Sequence, residues 1–209
     1  MNQEATFRAV LGGGFLALVM LTLYHRLRSW TSKEELDRRQ EGLFILATLR
    51  PVGLLLWLGV IGYLVNPVWM VWSSVLLPAW LRWTGVAVYA FGLGLLTWTL
   101  WGLGTNLTDT VVTRRAHTLV MHGPYRWVRH PFYDAMALLI LAIALIAANW
   151  FLLVTGAVVF ALLAVRSETE EEKLLARFGE AYRAYRESTG RFVPKLRSIK
   201  RGAHQLKNS

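Results

Sequence analysis

The chain has 209 residues, of which 55% are hydrophobic, ten are Trp and none is Cys. One soluble domain of this size has too little interior for that apolar share, so a single integral membrane domain is expected; without Cys there are no disulfides, thiolate zinc sites or cysteine nucleophiles. The formal net charge of +10 suggests nucleic acid at first sight, but the basic residues flank apolar runs, the pattern of the positive-inside rule and of anionic lipid head groups.

Residues 9–25, 51–81, 83–108 and 135–165 lack Asp, Glu, Lys and Arg. A helix needs about 20 apolar residues to cross a bilayer. The first crossing is predicted over residues 6–24; it is too long for a cleaved signal peptide and lacks the small-residue exit of one. Gly12, Gly13 and Gly14 lie inside this run with no strand before them, so they read as close helix packing rather than a nucleotide loop. The second crossing is predicted over residues 42–65 and ends at Asn66-Pro67. Arg50 lies near its start, where a side chain snorkels to the membrane face. Residues 69–77 are short and Trp-rich and read as an interfacial or re-entrant segment. The third crossing is predicted over residues 80–103.

Residues 135–165 would make a helix of roughly 46 Å, long for a hydrocarbon core of about 30 Å. The Ala147-Ala148-Asn149-Trp150 patch offers a turn, so a hairpin is predicted, with helices over 131–148 and 150–165. Pro131 suits a first helical turn, where its missing N–H costs nothing. The hairpin returns the chain to the side it left, so Arg166 and the glutamates after it can face residues 117–133.

Charge supports this count of five crossings. Residues 26–41 carry five Lys/Arg, residues 104–130 carry four and residues 166–209 carry eleven, all on one side of a five-helix arrangement. The positive-inside rule then predicts an outside N-terminus and a cytoplasmic C-terminus. Beyond the last crossing, Ser167 with Glu170 fits a capping box, and Leu174, Phe178, Tyr182 and Tyr185 fall at helical spacing. A cytosolic C-terminal amphipathic helix is predicted there, followed by a basic tail over 195–209. The fold class is thus all-α: a polytopic membrane protein of about five transmembrane helices.

Residues 117–133, HTLVMHGPYRWVRHPFY, hold three of the five histidines among arginines, prolines and tyrosines, between long apolar runs. That density of ligand-binding groups marks a candidate site. Tyr125, Trp127 and Tyr133 read either as aromatic-belt residues or as faces for an adenine or a sulfonium. His130 and Arg129 read as interfacial residues or as polar contacts to a cofactor; the histidines lack the spacing of a zinc cluster, and no metal is expected. Asn106, Thr108, Asp109 and Thr110 line the same loop or cap the third helix. Arg166 is either a snorkelling arginine or a guanidinium that grips a carboxylate or phosphate, and with Glu170 it forms at least an i,i+4 pair.

The signature G-P-Y-R-x-x-R-H-P-x-Y at 123–133, Arg166, and E-E-x-x-L-x-x-x-F-G-x-x-Y-x-x-Y at 170–185, with a late Pro194, resembles the isoprenylcysteine carboxyl methyltransferase family. That family lies within a broader set of membrane methyltransferases that includes phospholipid N-methyltransferases. The resemblance covers about residues 104–194 and implies a single methyltransferase domain over 1–209: three membrane helices to 103, then a catalytic loop, hairpin and C-terminal helix to 194. It implies S-adenosylmethionine as methyl donor in a cytosol-facing pocket. On matching positions His117, Thr118, Leu119, Val120, Tyr125, His130, Pro131, Phe132, Tyr133 and Glu170 are the cofactor-binding residues. Arg166 matches an arginine assigned to the acceptor, and Arg166 and Glu170 are the implied catalytic pair. Ala135 departs from the glycine many relatives carry, and Asp134 is unusual at an apolar position.

The implied acceptor is lipophilic, most readily a carboxylate of isoprenylcysteine type. The alternatives are N-methylation of a phospholipid amine, a sterol-type NADPH reductase sharing the R-H-P-x-Y segment, and a non-enzymatic scaffold. The E-E-x-x-L-x-x-x-F-G helix counts against the reductase, and the scarcity of polar residues within the membrane runs counts against the scaffold or a transporter.

Overall fold

A computed structural model describes residues 3–30, 45–104 and 119–195. Its main helices are α1 (Gln3–Trp30), α2 (Arg50–Val65), α3 (Ala79–Leu103), α4 (Pro131–Ala147), α5 (Trp150–Phe178) and α6 (Glu180–Ser188). A π-helical turn, Ile45–Leu49, precedes α2, and Pro67–Ser73 and Gly123–Arg126 are 3-10 turns. Among the described residues there are no strands, only isolated bridges.

Among the described residues, four segments are long and apolar enough to cross a membrane: Gln3–Arg28, Ala47–Val65, Ala79–Leu103 and Trp150–Phe178. The remaining apolar helix, α4, has 17 residues, or about 26 Å of axial rise. It is the centre of the bundle. Leu139, Ala142 and Ile146 are at most 1% exposed, between α3 on one side and α5 on the other. By contrast Leu16, Leu54, Phe91 and Val154 are exposed on the outer helix faces, where lipid tails are the solvent.

Small residues allow the close approach this core needs. A Cβ on Gly85 of α3 would lie 2.8 Å from Leu145 Cβ and 3.2 Å from the Ala142 carbonyl oxygen, so any larger residue would push α3 off α4. Gly14 faces the Tyr89 ring in the same way, with only 2.7 Å between a built Cβ and the ring edge. The packing reading of the triple glycine therefore holds at Gly14, whereas Gly13 meets open space.

The predicted hairpin is present. Pro131 opens α4, Ala148 turns the chain in the left-handed conformation at φ 48°, and the Asn149 side chain caps α5 by accepting from Leu152 N–H at 3.1 Å. Asn149 also donates to the Met70 carbonyl at 3.2 Å and to Ser73 Oγ at 2.8 Å. The Trp-rich 66–78 connection is thereby fastened to the hairpin turn, with Trp69, Trp72, Trp80 and Trp150 exposed around this end. Asn149→Ala removes a helix cap and the amide's two hydrogen bonds, to the Met70 carbonyl and to Ser73 Oγ, which keep only the bond they make to each other. An expected loss of about 2 kcal/mol follows, read as a lower thermal midpoint in detergent.

In the second crossing α2 begins at Arg50 with Pro51 in its first turn, after the π-helical turn, and residues 42–44 of the predicted crossing lie outside the described residues. The amphipathic helix predicted from Ser167 does not start there. Nothing between 150 and 178 breaks the helix, so α5 runs straight through, and Ser167 Oγ donates to the Ala164 carbonyl at 2.7 Å instead of capping a new helix. The break falls at Gly179, φ 53°, after which the short α6 buries Tyr182 and Tyr185.

One charged residue gave no sequence signal beyond interrupting two apolar runs. Arg82 is 8% exposed near the start of α3. It donates to the Ile146 carbonyl at 2.8 Å, Glu4 Oε2 at 2.8 Å and the Tyr63 hydroxyl at 3.2 Å, and it lies 4.0 Å over the Phe7 ring. Tyr63 in turn donates to Glu4 Oε1 at 2.5 Å. This cluster ties together the ends of α1, α2, α3 and α4 at the pole opposite the candidate site.

Candidate functional site

The site forms where the chain enters α4 and leaves the apolar part of α5. Gly123, at φ 60°, takes the left-handed turn that starts the 3-10 segment, a conformation open to glycine with little cost. That turn buries Pro124 and Tyr125. The Tyr125 carbonyl accepts from Tyr185 Oη at 2.6 Å, so α6 is docked onto the turn. Burial, with Tyr185 and Glu170 nearby, pushes the Tyr125 hydroxyl above its ordinary range, so it stays protonated as a donor.

Residues 127–130 then run beside 189–191 as a short parallel pairing. Gly190 N–H donates to the Trp127 carbonyl at 3.3 Å, Arg129 N–H to the Gly190 carbonyl at 2.9 Å, and His130 N–H to the Arg191 carbonyl at 3.1 Å. Gly190 is buried, and a built Cβ there would collide with the Val193 carbonyl oxygen. Gly190→Ala is therefore expected to displace this segment and cost about 2 kcal/mol or more, seen as early protease cleavage near 190 and a lowered thermal midpoint.

The centre of the site is a buried ionic cluster between α4 and α5. Tyr133 Oη donates to Glu170 Oε1 at 2.8 Å, and Arg166 Nε donates to the same oxygen at 3.1 Å. Arg129 Nε donates to Glu171 Oε1 at 2.9 Å, and His130 Nε2 lies 3.1 Å from that oxygen. Arg129 also reaches the Thr189 carbonyl at 2.6 Å and the Arg186 carbonyl at 3.2 Å. The His130 ring stacks on Tyr133 with centroids 5.4 Å apart and planes 4° off parallel, and Phe192 covers its other flank at 5.8 Å.

One carboxylate oxygen is differently placed. Glu170 Oε2 faces His130 Nδ1 at 3.8 Å, beyond hydrogen-bond length. The side chains thus aim a carboxylate oxygen and a ring nitrogen at the same space, flanked by the Tyr133 face. With the ring nitrogen unprotonated, both atoms are hydrogen-bond acceptors, which suits a cationic or amine-bearing group and not a phosphate.

The structure brings four predicted residues together: His130, Tyr133, Arg166 and Glu170. Tyr125 is one layer away, under α6. Pro131 starts α4 and Phe132 packs against the apolar core, so neither side chain joins the ionic cluster. Leu119 and Val120 are half-buried on the segment leading to the 3-10 turn. His117 and Thr118 lie outside the described residues, as do Asn106, Thr108, Asp109 and Thr110. The sequence reading left Arg191 and Phe192 out of the site. Their only signal was position, just before Pro194; no periodicity marks them.

Fold and site together define a polytopic, all-helical membrane protein with a charge-lined site at one end of its helices. Residues 83–176 match the model of the isoprenylcysteine carboxyl methyltransferase family. The human protein-S-isoprenylcysteine O-methyltransferase is 29% identical over 132 residues, 62% of this chain and 46% of the relative. The mouse protein of the same description is 29% identical over 62% of this chain and 47% of its own length. This chain therefore spans about half the length of the curated relatives it matches. A solved structure of the eukaryotic intramembrane Ras methyltransferase ICMT superposes with a TM-score of 0.58 at 20% identity, covering 90% of this chain and 67% of that one. By these matches the chain is similar to members of the isoprenylcysteine carboxyl methyltransferase family in sequence over its second half, and to a solved member in fold.

Proposed function

We propose that this protein transfers a methyl group from S-adenosylmethionine to the carboxylate of a lipophilic, isoprenylcysteine-type acceptor. The observation that carries the reading is the cluster of His130, Tyr133, Arg166 and Glu170 within the span matched by the family model. Its carboxylate oxygen, ring nitrogen and aromatic face suit a ligand bearing an ammonium and a sulfonium. The relatives' printed activity, protein-S-isoprenylcysteine O-methylation, favours a carboxylate acceptor over an amine.

S-Adenosylmethionine supplies a sulfonium methyl group already activated toward in-line attack. What the chain must add is proximity, alignment and exclusion of water. Glu170, His130 and Tyr133 hold the donor, with His117, Thr118, Leu119, Val120, Tyr125, Pro131 and Phe132 completing its pocket. Arg166 orients the acceptor carboxylate from the end of the apolar part of α5. A carboxylate is ionised at neutral pH, so Glu170 need not act as a base; an amine acceptor would require one. The acceptor's lipid part enters from the bilayer and the donor from the cytosol, with five crossings, the N-terminus outside and the C-terminus cytoplasmic.

The test is transfer of a radiolabelled methyl group to a prenylcysteine acceptor, followed by base treatment. Label released as methanol is the expected result; base-stable label points to N-methylation. Absence of S-adenosylhomocysteine binding at millimolar ligand overturns the reading.

A further inference from the structure

We propose that Glu171, hydrogen-bonded by Arg129 and with the Arg191 guanidinium nearby, fixes the His130 imidazole in its Nε2–H form, so that Nδ1 and Glu170 Oε2 together make a binding site for a primary ammonium group. The inference rests on the methyl-donor reading and assigns the donor's amino group to these two atoms. Glu171 is a positioning residue: it acts through His130.

Three observations build it. Glu171 Oε1 lies 2.9 Å from Arg129 Nε, 3.1 Å from His130 Nε2 and 3.9 Å from Arg191 Nε. The side chain is only 11% exposed. A buried carboxylate held by guanidinium groups stays ionised and is an acceptor only. The ring nitrogen it touches must then carry the proton, and in the neutral imidazole the other nitrogen is left as an acceptor.

The ring cannot readily rotate away from this arrangement. It is stacked on Tyr133 and flanked by Phe192, whose own ring lies 5.9 Å from Phe160 of α5. Its backbone N–H is tied to the Arg191 carbonyl at 3.1 Å. Arg191 is itself anchored on α5, donating to Ser167 Oγ at 3.1 Å, the Ala164 carbonyl at 3.2 Å and Glu168 Oε1 at 3.1 Å. Residues 189–192 therefore form a strap that holds the ring plane and the Glu171 carboxylate in register.

With Nδ1 an acceptor, it and Glu170 Oε2 are two acceptors 3.8 Å apart with no proton between them. One –NH3+ group can donate to both at ordinary hydrogen-bond length. A hydroxyl has one proton and cannot. A carboxylate or phosphate would meet two electron-rich atoms and be repelled. The selectivity is for a cationic amine.

The test uses the full chain in detergent with 15N-labelled histidine, the His130 signals being assigned by their loss in His130→Gln. The ligand-free wild type is expected to show His130 as the Nε2–H form. In Glu171→Gln both forms are expected, since the amide offers an acceptor and a donor. Calorimetry then compares S-adenosylhomocysteine with an analogue lacking its amino group. The wild type is expected to prefer the amine by about tenfold or more, and Glu171→Gln and Arg191→Met to reduce that preference to about threefold or less. A merely structural role would weaken both compounds equally. An Nδ1–H ring in the wild type, or a preference unchanged in Glu171→Gln, overturns the positioning role. Equal binding of the two compounds by the wild type overturns the ammonium site alone, whereas binding of neither overturns the donor reading with it.

Discussion

Glu4→Gln is expected to lower stability by about 3 kcal/mol, because it strips the anionic partner from a buried arginine. Arg82 is 8% exposed and sits in the apolar bundle, held by Glu4, Tyr63 and the Ile146 carbonyl. Neutralising Glu4 leaves that charge with dipoles alone. For a chain of this length the loss corresponds to a drop in thermal midpoint of roughly 6–12 °C. Arg82→Met alone should cost less, since the Glu4 side chain is 36% exposed and can take water. The double variant Glu4→Gln, Arg82→Met should recover much of the loss, because a neutral pair carries no desolvation penalty. A thermal scan of the three variants in detergent settles the matter: equal midpoints for Glu4→Gln and wild type would remove this cluster from the account of stability.

The second large effect concerns binding. Glu170→Gln should weaken S-adenosylhomocysteine binding by about 30- to 150-fold, the worth of one charge-assisted hydrogen bond of about 2–3 kcal/mol. Its thermal midpoint should change little, since Gln still accepts from Tyr133 and Arg166. Arg166→Ala should abolish turnover and also weaken donor binding several-fold, because Arg166 Nε holds Glu170 Oε1 at 3.1 Å. That coupling separates this site from one in which acceptor and donor residues are independent. Calorimetry on both variants reads it directly, and donor affinity unchanged in Glu170→Gln would exclude the carboxylate from the donor pocket.

Much of the architecture was legible because lipid imposes a simple code. Apolar length marks the membrane-spanning helices. The hairpin was readable because 31 apolar residues exceed one membrane thickness and the Ala147-Ala148-Asn149-Trp150 patch offers a turn within them. Where the reading failed, the cause was local. Ser167 and Glu170 fit a capping box, but capping signals act only where a helix has a reason to stop. No Gly or Pro interrupts α5 between Ala157 and Phe178, so the helix continued to Gly179.

By itself, the sequence determined that the protein is helical and membrane-bound, marked residues 117–133 and 166–171 as the candidate site, and showed which family the motifs resemble. The first follows from composition and period, and the others from short motifs and their resemblance to a family; all are properties of neighbours along the chain. Only the tertiary structure decided which atoms meet. It joined Arg82 to Glu4 across 78 positions, and Arg129 to Glu171 across 42. It also brought Arg191 and Phe192 back over His130. Contacts of that separation depend on how the helices pack and on where small residues such as Gly85 let them close, and no local pattern encodes them.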